Sequence, residues 1–275
     1  MSEIKDALDG FLSSNCLNAE RVVFLTGAGI SAESGIPTFR GEEGYWTIGS
    51  KVYQPQEMAT WSNFSQMPAQ VWRWYLYRRA ICHQAKPNPA HIALSELEQA
   101  FQERFTLVTQ NVDGLHLRAG NTFDRTYQIH GNIDYMRPYR GDSSSLEPIT
   151  MSTDQATLDA MSDDALLEAL KRNGQPCRPH VLWFDECYDE DLYRFQSSLE
   201  VTAHADLLVI VGTSGATNLP NQMVSMAAQR GIPFIDINPN ENIFGDAARR
   251  LPHGLSIQES AGAVLPTLTQ ALTSL

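Results

Sequence analysis

The apolar run RVVFLT (21–26) opens straight onto Gly27, Ala28 and Gly29, and with Ala32 it completes the spacing G-x-G-x-x-G/A at the end of a strand-like segment. Small residues at these places let backbone N–H groups approach a pyrophosphate at the start of a helix. A tight strand-to-helix turn that binds nothing satisfies the same short pattern. The residues downstream narrow the choice. A dehydrogenase-type unit continues into a full helix and a second strand that ends in an acidic residue about 20 positions on. Here Gly35, Ile36 and Pro37 stop the helix early, and a loop with Phe39, Arg40, Gly41 and Gly44 comes next. One ring, one cation and a freely turning backbone suit a flap over a dinucleotide, with chemistry other than hydride transfer.

Further strand-like runs are FTLVT (105–109), YQIHG (127–131), RPHVLWF (178–184), DLLVIVGTS (206–214) and PFIDIN (233–238). Helical patterns lie between several of them, such as PAHIALSELEQAFQER with Leu94, Leu97 and Phe101 on one face, and NQMVSMAAQRG before PFIDIN. Apolar strands alternating with helices predict an α/β fold, a Rossmann-like, doubly wound parallel sheet covered on both faces. Two stretches break the rhythm: the aromatic-rich 41–86, and 136–177, where SSSLEP precedes the polar, helix-like DQATLDAMSDDALLEALKR. They are expected to meet as a smaller inserted lobe. Residues 1–40, 87–135 and 178–275 then form the nucleotide-binding domain, and 41–86 with 136–177 the lobe.

At 275 residues the chain is near the upper size for one domain. No apolar run approaches the roughly 20 residues of a membrane span, so no membrane partner is expected. Lys and Arg number 20 against 32 Asp and Glu, a net charge of −12, and no Lys/Arg-rich block stands out except the Arg-Arg pairs Arg78–Arg79 and Arg249–Arg250. That argues against a nucleic-acid partner and favours basic protein tails. The start, MSEIKDALDGFLSSNC, lacks a secretory pattern, and Cys16, Cys82, Cys177 and Cys187 show no framework spacing. Free thiols and a cytoplasmic setting are the expectation.

GAGISAESGIPTFRG, TQNVDGLH (109–116), IHG (129–131), RPHVLWF (178–184) and GTS (212–214) occur in that order. In this arrangement the chain resembles the sirtuins, NAD-dependent protein-lysine deacylases, from about Arg21 to Pro266. The resemblance implies NAD as cofactor and acyl-lysine proteins or peptides as partners. It also implies cleavage of the nicotinamide–ribose bond with attack by the acyl carbonyl oxygen, releasing nicotinamide and 2'-O-acyl-ADP-ribose. Such a reaction needs the leaving amide held, the sugar cation shielded from water and one base.

By the same resemblance, Asn111 and Asp113 hold the carboxamide, although an Asx turn capping the next helix accounts for them on local sequence alone. Gln110 meets the nicotinamide ribose. His130 is the general base, where a lone histidine at a strand end would otherwise be simply packed or exposed. Gly27, Ala28, Gly29, Gly212, Thr213 and Ser214 line the phosphates and the adjoining ribose. Asn238 meets the adenosine ribose, and Ser260 and Ala261 lie by the adenine. Phe39 covers the reacting sugar, and Arg40 orders the flap.

In QVWRWYLYRR, Tyr75 and Arg78 are three apart, so a phenol and a two-pronged guanidinium can converge on one helix face. Packing and solvation on this crowded helix account for the pair equally well. Sirtuins that remove succinyl, malonyl or glutaryl groups carry such a Tyr-x-x-Arg pair and read TFRG at the flap, as Thr38 does here. The resemblance therefore implies acidic acyl groups, with deacetylation as a side activity. Val181, Trp183, Phe184 and Glu186 fall on the strand that binds the substrate backbone in the family.

Three departures stand out. The family's two Cys-x-x-Cys pairs for zinc are missing: NIDYMRPYRGDSSS comes after IHG, and Leu170 and Asn173 stand where the second pair would be. Cys177, His180 and Cys187 supply three ligands where structural zinc takes four, so no metal is expected. Leu158, Met161, Leu166, Leu167 and Leu170 are expected to pack in its place. Asp185 in WFDE and the segment GATNLP also differ from the family pattern, which bears on peptide access. An NAD glycohydrolase or ADP-ribosyltransferase on the same fold, and a non-catalytic NAD-binding module, are the competing readings.

Overall fold

The computed structural model describes residues 2–17, 19–36, 46–48 and 51–274; Thr38, Phe39 and Arg40 lie outside the described residues. Six strands form a parallel sheet: β1 (Val22–Thr26), β2 (Phe105–Thr109), β3 (Thr126–Gln128), β4 (Leu207–Val211), β5 (Phe234–Ile237) and β6 (Gly254–Ile257). Their order is β6-β5-β4-β1-β2-β3, with every pairing parallel. β1 and β4 are buried at every residue, as their unbroken apolar runs require of strands covered on both sides. Val22 and Phe24 pack with Leu94 and Leu97 of the helix Pro89–Phe101 and with Leu265 of the helix Ala261–Thr273. Val23 and Leu25 point the other way, toward Leu219 and Met223 of the helix Asn218–Arg230. The sheet is therefore doubly wound, and its strand order reverses at β1. Ligands in such sheets bind in the crevice beyond the carboxyl ends at that reversal.

A second, antiparallel sheet is built from Glu147–Pro148, Gly131–Pro138, Gln175–Val181 and Lys171–Arg172, in that order. The helix Pro68–Gln84 packs against it. Trp72, Trp74 and Leu76 share one buried cluster with Ile133, Met136, Leu158, Leu166, Leu170 and Trp183. The two rhythm-breaking stretches thus meet in one core, which also takes in Ile133, Val181 and Trp183 from the ranges that the sequence pattern assigns to the larger domain.

Two strand expectations are corrected. RPHVLWF groups by sequence with the parallel strands, but Arg178 to Val181 pair antiparallel with Gly131–Pro138 in the lobe. YQIHG is not one strand: β3 ends at Gln128 and the chain crosses to the second sheet at Gly131. Gly131 has φ +85°, and a Cβ there would lie 2.1 Å from the His180 carbonyl oxygen. A side chain is excluded both by conformation and by space.

The polar stretch after SSSLEP forms two helices, Gln155–Ala160 and Asp163–Ala169. Asp154 caps the first through the Thr157 amide, and Ser162 caps the second through the Ala165 amide. Leu158, Leu166 and Leu170 are buried, while Met161 and Leu167 are partly so. A polar clasp adds to them: Arg73 donates to the carbonyls of Leu158 and Met161, each at 2.7 Å, and to the Asp163 carboxylate at 2.9 Å. Among the described residues no group of three or more His, Cys, Asp or Glu is placed to hold a metal ion. His180 stacks its ring on Tyr193, at 5.7 Å between centroids. Among the same residues no helix is long and apolar enough to cross a membrane.

Candidate active site

The turns after β1 and β4 lie against each other at the reversal of strand order. The Gly29 amide donates to the Gly212 carbonyl at 2.8 Å, and the Gly27 amide to the Val211 carbonyl at 2.9 Å. A Cβ on Gly27 would meet the Thr213 Cβ at 2.7 Å, and one on Gly29 the Gly212 Cα at 2.7 Å. The glycine spacing is thus demanded by contact between two turns, and it leaves a floor of small residues at the mouth of the crevice. Gln110, just past β2, spans the same floor: its Nε2 donates to Thr213 Oγ1 at 2.8 Å and its Oε1 accepts from Thr217 at 2.9 Å. Asn238, just past β5, donates to the Thr213 carbonyl at 3.1 Å. Ser214 is exposed in the same turn. Ala261 opens the last helix, whose start is tied to Glu33 by Ser260 Oγ at 3.0 Å and the Gly262 amide at 2.8 Å. The carboxyl ends of β1, β2, β4 and β5 therefore bring together Gly27, Ala28, Gly29, Gln110, Gly212, Thr213, Ser214 and Asn238.

Asn111 and Asp113 sit at the inner end of this crevice, 8% and 6% exposed. Ser31 links them, accepting from Asn111 Nδ2 at 3.1 Å and donating to Asp113 Oδ2 at 2.7 Å. Asp113 Oδ1 also accepts the Leu115 amide at 2.8 Å, so the Asx-turn reading holds beside the functional one. Burial raises the Asp113 pKa, opposed by the bonds from Leu115 and Ser31.

Sequence reasoning missed the layer beneath. His91 Nδ1 accepts the Asn88 amide at 3.3 Å, so its Nε2 carries the proton and points it at Ser31 Oγ, 3.5 Å away. Burial pushes His91 down to about 4 and His116 well below its usual value, leaving two neutral rings 4.8 Å apart under Asp113. The signal for His91 was its place three residues after Asn88, where a side chain reaches back to the cap. The apolar periodicity of that helix drew attention to its leucines instead.

His130 is held from both sides. Nδ1 lies 3.0 Å from the Gln110 carbonyl, which can only accept, so Nδ1 carries the proton and Nε2 is left with its lone pair. The Tyr188 phenol, 2.7 Å away, donates to that Nε2. Burial pushes the imidazole down to about 4, partly offset by the Gln110 carbonyl. His130 is therefore neutral at physiological pH and able to take a proton.

On the lobe side, Tyr75 is 4% exposed and its phenol oxygen accepts from the Trp183 indole at 2.9 Å. Arg78, partly buried, lies over the Trp74 ring at 5.3 Å. Val181 is buried and its carbonyl accepts from Arg178, while Phe184 is 58% exposed with its amide on the Ala59 carbonyl. The Glu186 carboxylate is turned onto Arg178 and the Trp183 amide, at 2.8 and 3.0 Å, so it braces its own turn. Asp185 caps the helix Trp61–Gln66, accepting the amides of Trp61 and Ser62 at 2.8 and 3.1 Å.

The Sir2 family model matches residues 27–218. An NAD-dependent protein deacylase of Leptospira interrogans serogroup Icterohaemorrhagiae serovar Lai (strain 56601) is 37% identical over 262 residues, covering 95% of this chain and 97% of the relative. The mitochondrial NAD-dependent protein deacylase sirtuin-5 of Danio rerio is 36% identical over 236 residues, covering 80% and 74%. Among solved structures, a Sir2 homologue in complex with NAD superposes with a TM-score of 0.77 at 30% identity, covering 98% of this chain and 93% of that one. Beside a crevice floored by glycine turns, a buried amide and carboxylate at its inner end and a neutral histidine, these matches extend the likeness to nearly the whole chain, which belongs to the Sir2 family.

Proposed function

We propose that this protein is an NAD-dependent protein-lysine deacylase that prefers acidic acyl groups such as succinyl and malonyl. The observation that carries the reaction is the neutral His130 imidazole, with Nδ1–H fixed on Gln110 and its basic Nε2 at the crevice that the two glycine turns floor. The small residues fit a dinucleotide, since Gly27, Gly29 and Gly212 let the two turns close directly on each other and present backbone at the crevice floor. NAD supplies the nicotinamide leaving group and the ribose that receives the acyl group. Asn111 and Asp113 hold the carboxamide in a water-poor corner, with Ser31 fixing both side chains. His130 takes a ribose hydroxyl proton at Nε2, and burial keeps that nitrogen free of protons beforehand.

The acyl preference rests on Tyr75 and Arg78. The Trp183 bond fixes the phenol, and the guanidinium one turn along the same helix supplies charge for a distal carboxylate. Asp185 gives no support to a glycohydrolase reading through a damaged groove, because both its oxygens are bound to the helix Trp61–Gln66. The test is incubation with NAD and succinyl-lysine or acetyl-lysine peptide, with products identified by mass. Acyl-ADP-ribose is expected, and ADP-ribose formed without peptide would overturn the reading. Arg78→Met should lower kcat/KM for the succinyl peptide by about 10²-fold or more while changing the acetyl peptide far less. His130→Ala should abolish turnover of both.

A further inference from the structure

The acidic segment after Glu186 is a strap, not a solvated charge patch. Asp189 accepts the Leu192 amide at 2.7 Å, Glu190 the Ser197 amide at 3.0 Å, and Asp191 the Ser143 amide at 2.7 Å. The last bond reaches into the lobe. Tyr188 stands at the head of this strap, its ring stacked 5.8 Å from His130 and 6.0 Å from Phe195. Its phenol is the partner of the one imidazole nitrogen that carries a free lone pair. Thr217 lies beside the same phenol, and because its own O–H goes to Gln110 Oε1 at 2.9 Å, its oxygen has a lone pair to offer the phenol proton.

We propose that Tyr188 is a positioning residue for His130: its phenol O–H holds Nε2 in the resting enzyme and yields that place to a ribose hydroxyl of the bound nucleotide. The inference rests on His130 being the base. When the exchange occurs, the phenol keeps its own proton and turns to Thr217. The ribose O–H then passes its proton to Nε2, giving an imidazolium whose Nδ1–H stays on the Gln110 carbonyl. The strap thereby links the lobe, through Ser143, to whether the base is covered.

The phenol also sets the basicity of the ring. A donor on Nε2 favours the neutral form, so removing it raises the pKa. Gln110 faces the ring from beyond β2 and Tyr188 from the strap, while the His130 carbonyl accepts the Leu182 amide. Among the described residues no charged side chain is hydrogen-bonded to His130, and the carboxylates of Asp189, Glu190 and Asp191 are held by the strap's own amides and Ser143.

The test uses Tyr188→Phe in the full chain, which keeps the ring stack and deletes the O–H. Histidine ¹⁵N spectra give the pKa of His130 without NAD, and kcat/KM for NAD is measured against pH with a saturating acyl-lysine peptide. Both the pKa and the acid limb of the profile should rise by roughly half to one pH unit. KM for NAD should fall several-fold, with kcat held within about threefold. A merely structural role would move neither the pKa nor the limb, and an unmoved pKa overturns the proposal. If the variant unfolds, the wild-type ¹⁵N shift of Nε2 decides: a hydrogen-bonded nitrogen that loses the phenol on NAD addition supports it, and one with no bonded donor refutes it. Survival of turnover in His130→Ala would instead show that the reading of the base had failed.

Discussion

Asp236 offers a quantitative test of how the turn beyond β5 is built. It lies on β5, 1% exposed, with Oδ2 accepting Asn242 Nδ2 at 2.9 Å and Oδ1 without a donor. Burial raises its pKa from the ordinary 3.8 to about 6, against the bond from Asn242 and the charge of Arg249. The folded state thus binds the proton more tightly than the unfolded chain does. Its contribution to stability is fully present below about 3.8 and is lost as pH rises through about 6. At pH 7.5 the ionised carboxylate costs about 3 kcal/mol, and at pH 4 only about 0.5 kcal/mol.

Asp236→Asn removes this charge and keeps an oxygen for Asn242, while its amide N–H₂ meets no partner at a cost of about 1 kcal/mol. The variant should therefore be more stable than wild type by about 2 kcal/mol at pH 7.5, and the advantage should disappear by pH 4. Urea unfolding of both proteins at pH 7.5, 5 and 4 measures the difference. The constant amide cost cancels between pH values, so the decisive quantity is the change of about 2.5 kcal/mol across the range. A pH-independent difference would refute the assignment. Asn242 also caps the helix Ile243–Arg250, so a costly carboxylate here serves to hold the turn just past Asn238.

Two further outcomes are expected. Gly131→Ala, forced to place a Cβ 2.1 Å from the His180 carbonyl, should shift His130 and lower kcat by at least about 10²-fold; near-normal turnover would contradict the crossover geometry. EDTA should leave the thermal midpoint unchanged, whereas Leu166→Ala, at a fully buried position, should destabilise by about 2–5 kcal/mol, and a midpoint that drops with chelator would show a resident metal.

The fold was legible where physics is local. Unbroken apolar runs such as LLVIV announce strands covered on both faces, and glycines after them announce close turns. The placing of Gln110, Asn111, Asp113 and Asn238 directly after strands, at one end of the sheet, was legible for the same reason. Tyr188, Ser31 and Arg73 were not. Tyr188 meets His130 across 58 positions of chain, and Ser31 meets Asp113 across 82. Such contacts leave no period or spacing in the sequence. RPHVLWF reads as part of the wrong sheet because an apolar run states that a strand is buried and says nothing of its partner.

The same limit explains why the missing Cys-x-x-Cys pairs could be noticed from sequence while most of the contacts that hold the lobe could not. The helix Pro68–Gln84 serves two ends at once. Arg73, with a side chain 15% exposed, clasps the Leu158 and Met161 carbonyls and Asp163, while Tyr75, two residues on, is fixed by Trp183. Trp72 adds a bond to the Cys177 carbonyl at 3.1 Å. Loosening the clasp should therefore disturb acyl recognition before it disturbs the nucleotide crevice, whose strands belong to separate buried clusters. Arg73→Ala should cost about 3 kcal/mol of stability, since bonds from a charged donor contribute roughly 1.5–3 kcal/mol each and water replaces them only in part. In the surviving folded enzyme, KM for a succinyl peptide should rise about fivefold or more while KM for NAD stays within about twofold. An equal rise in both would mean that the lobe and the crevice move as one body and that the helix does not separate the two tasks.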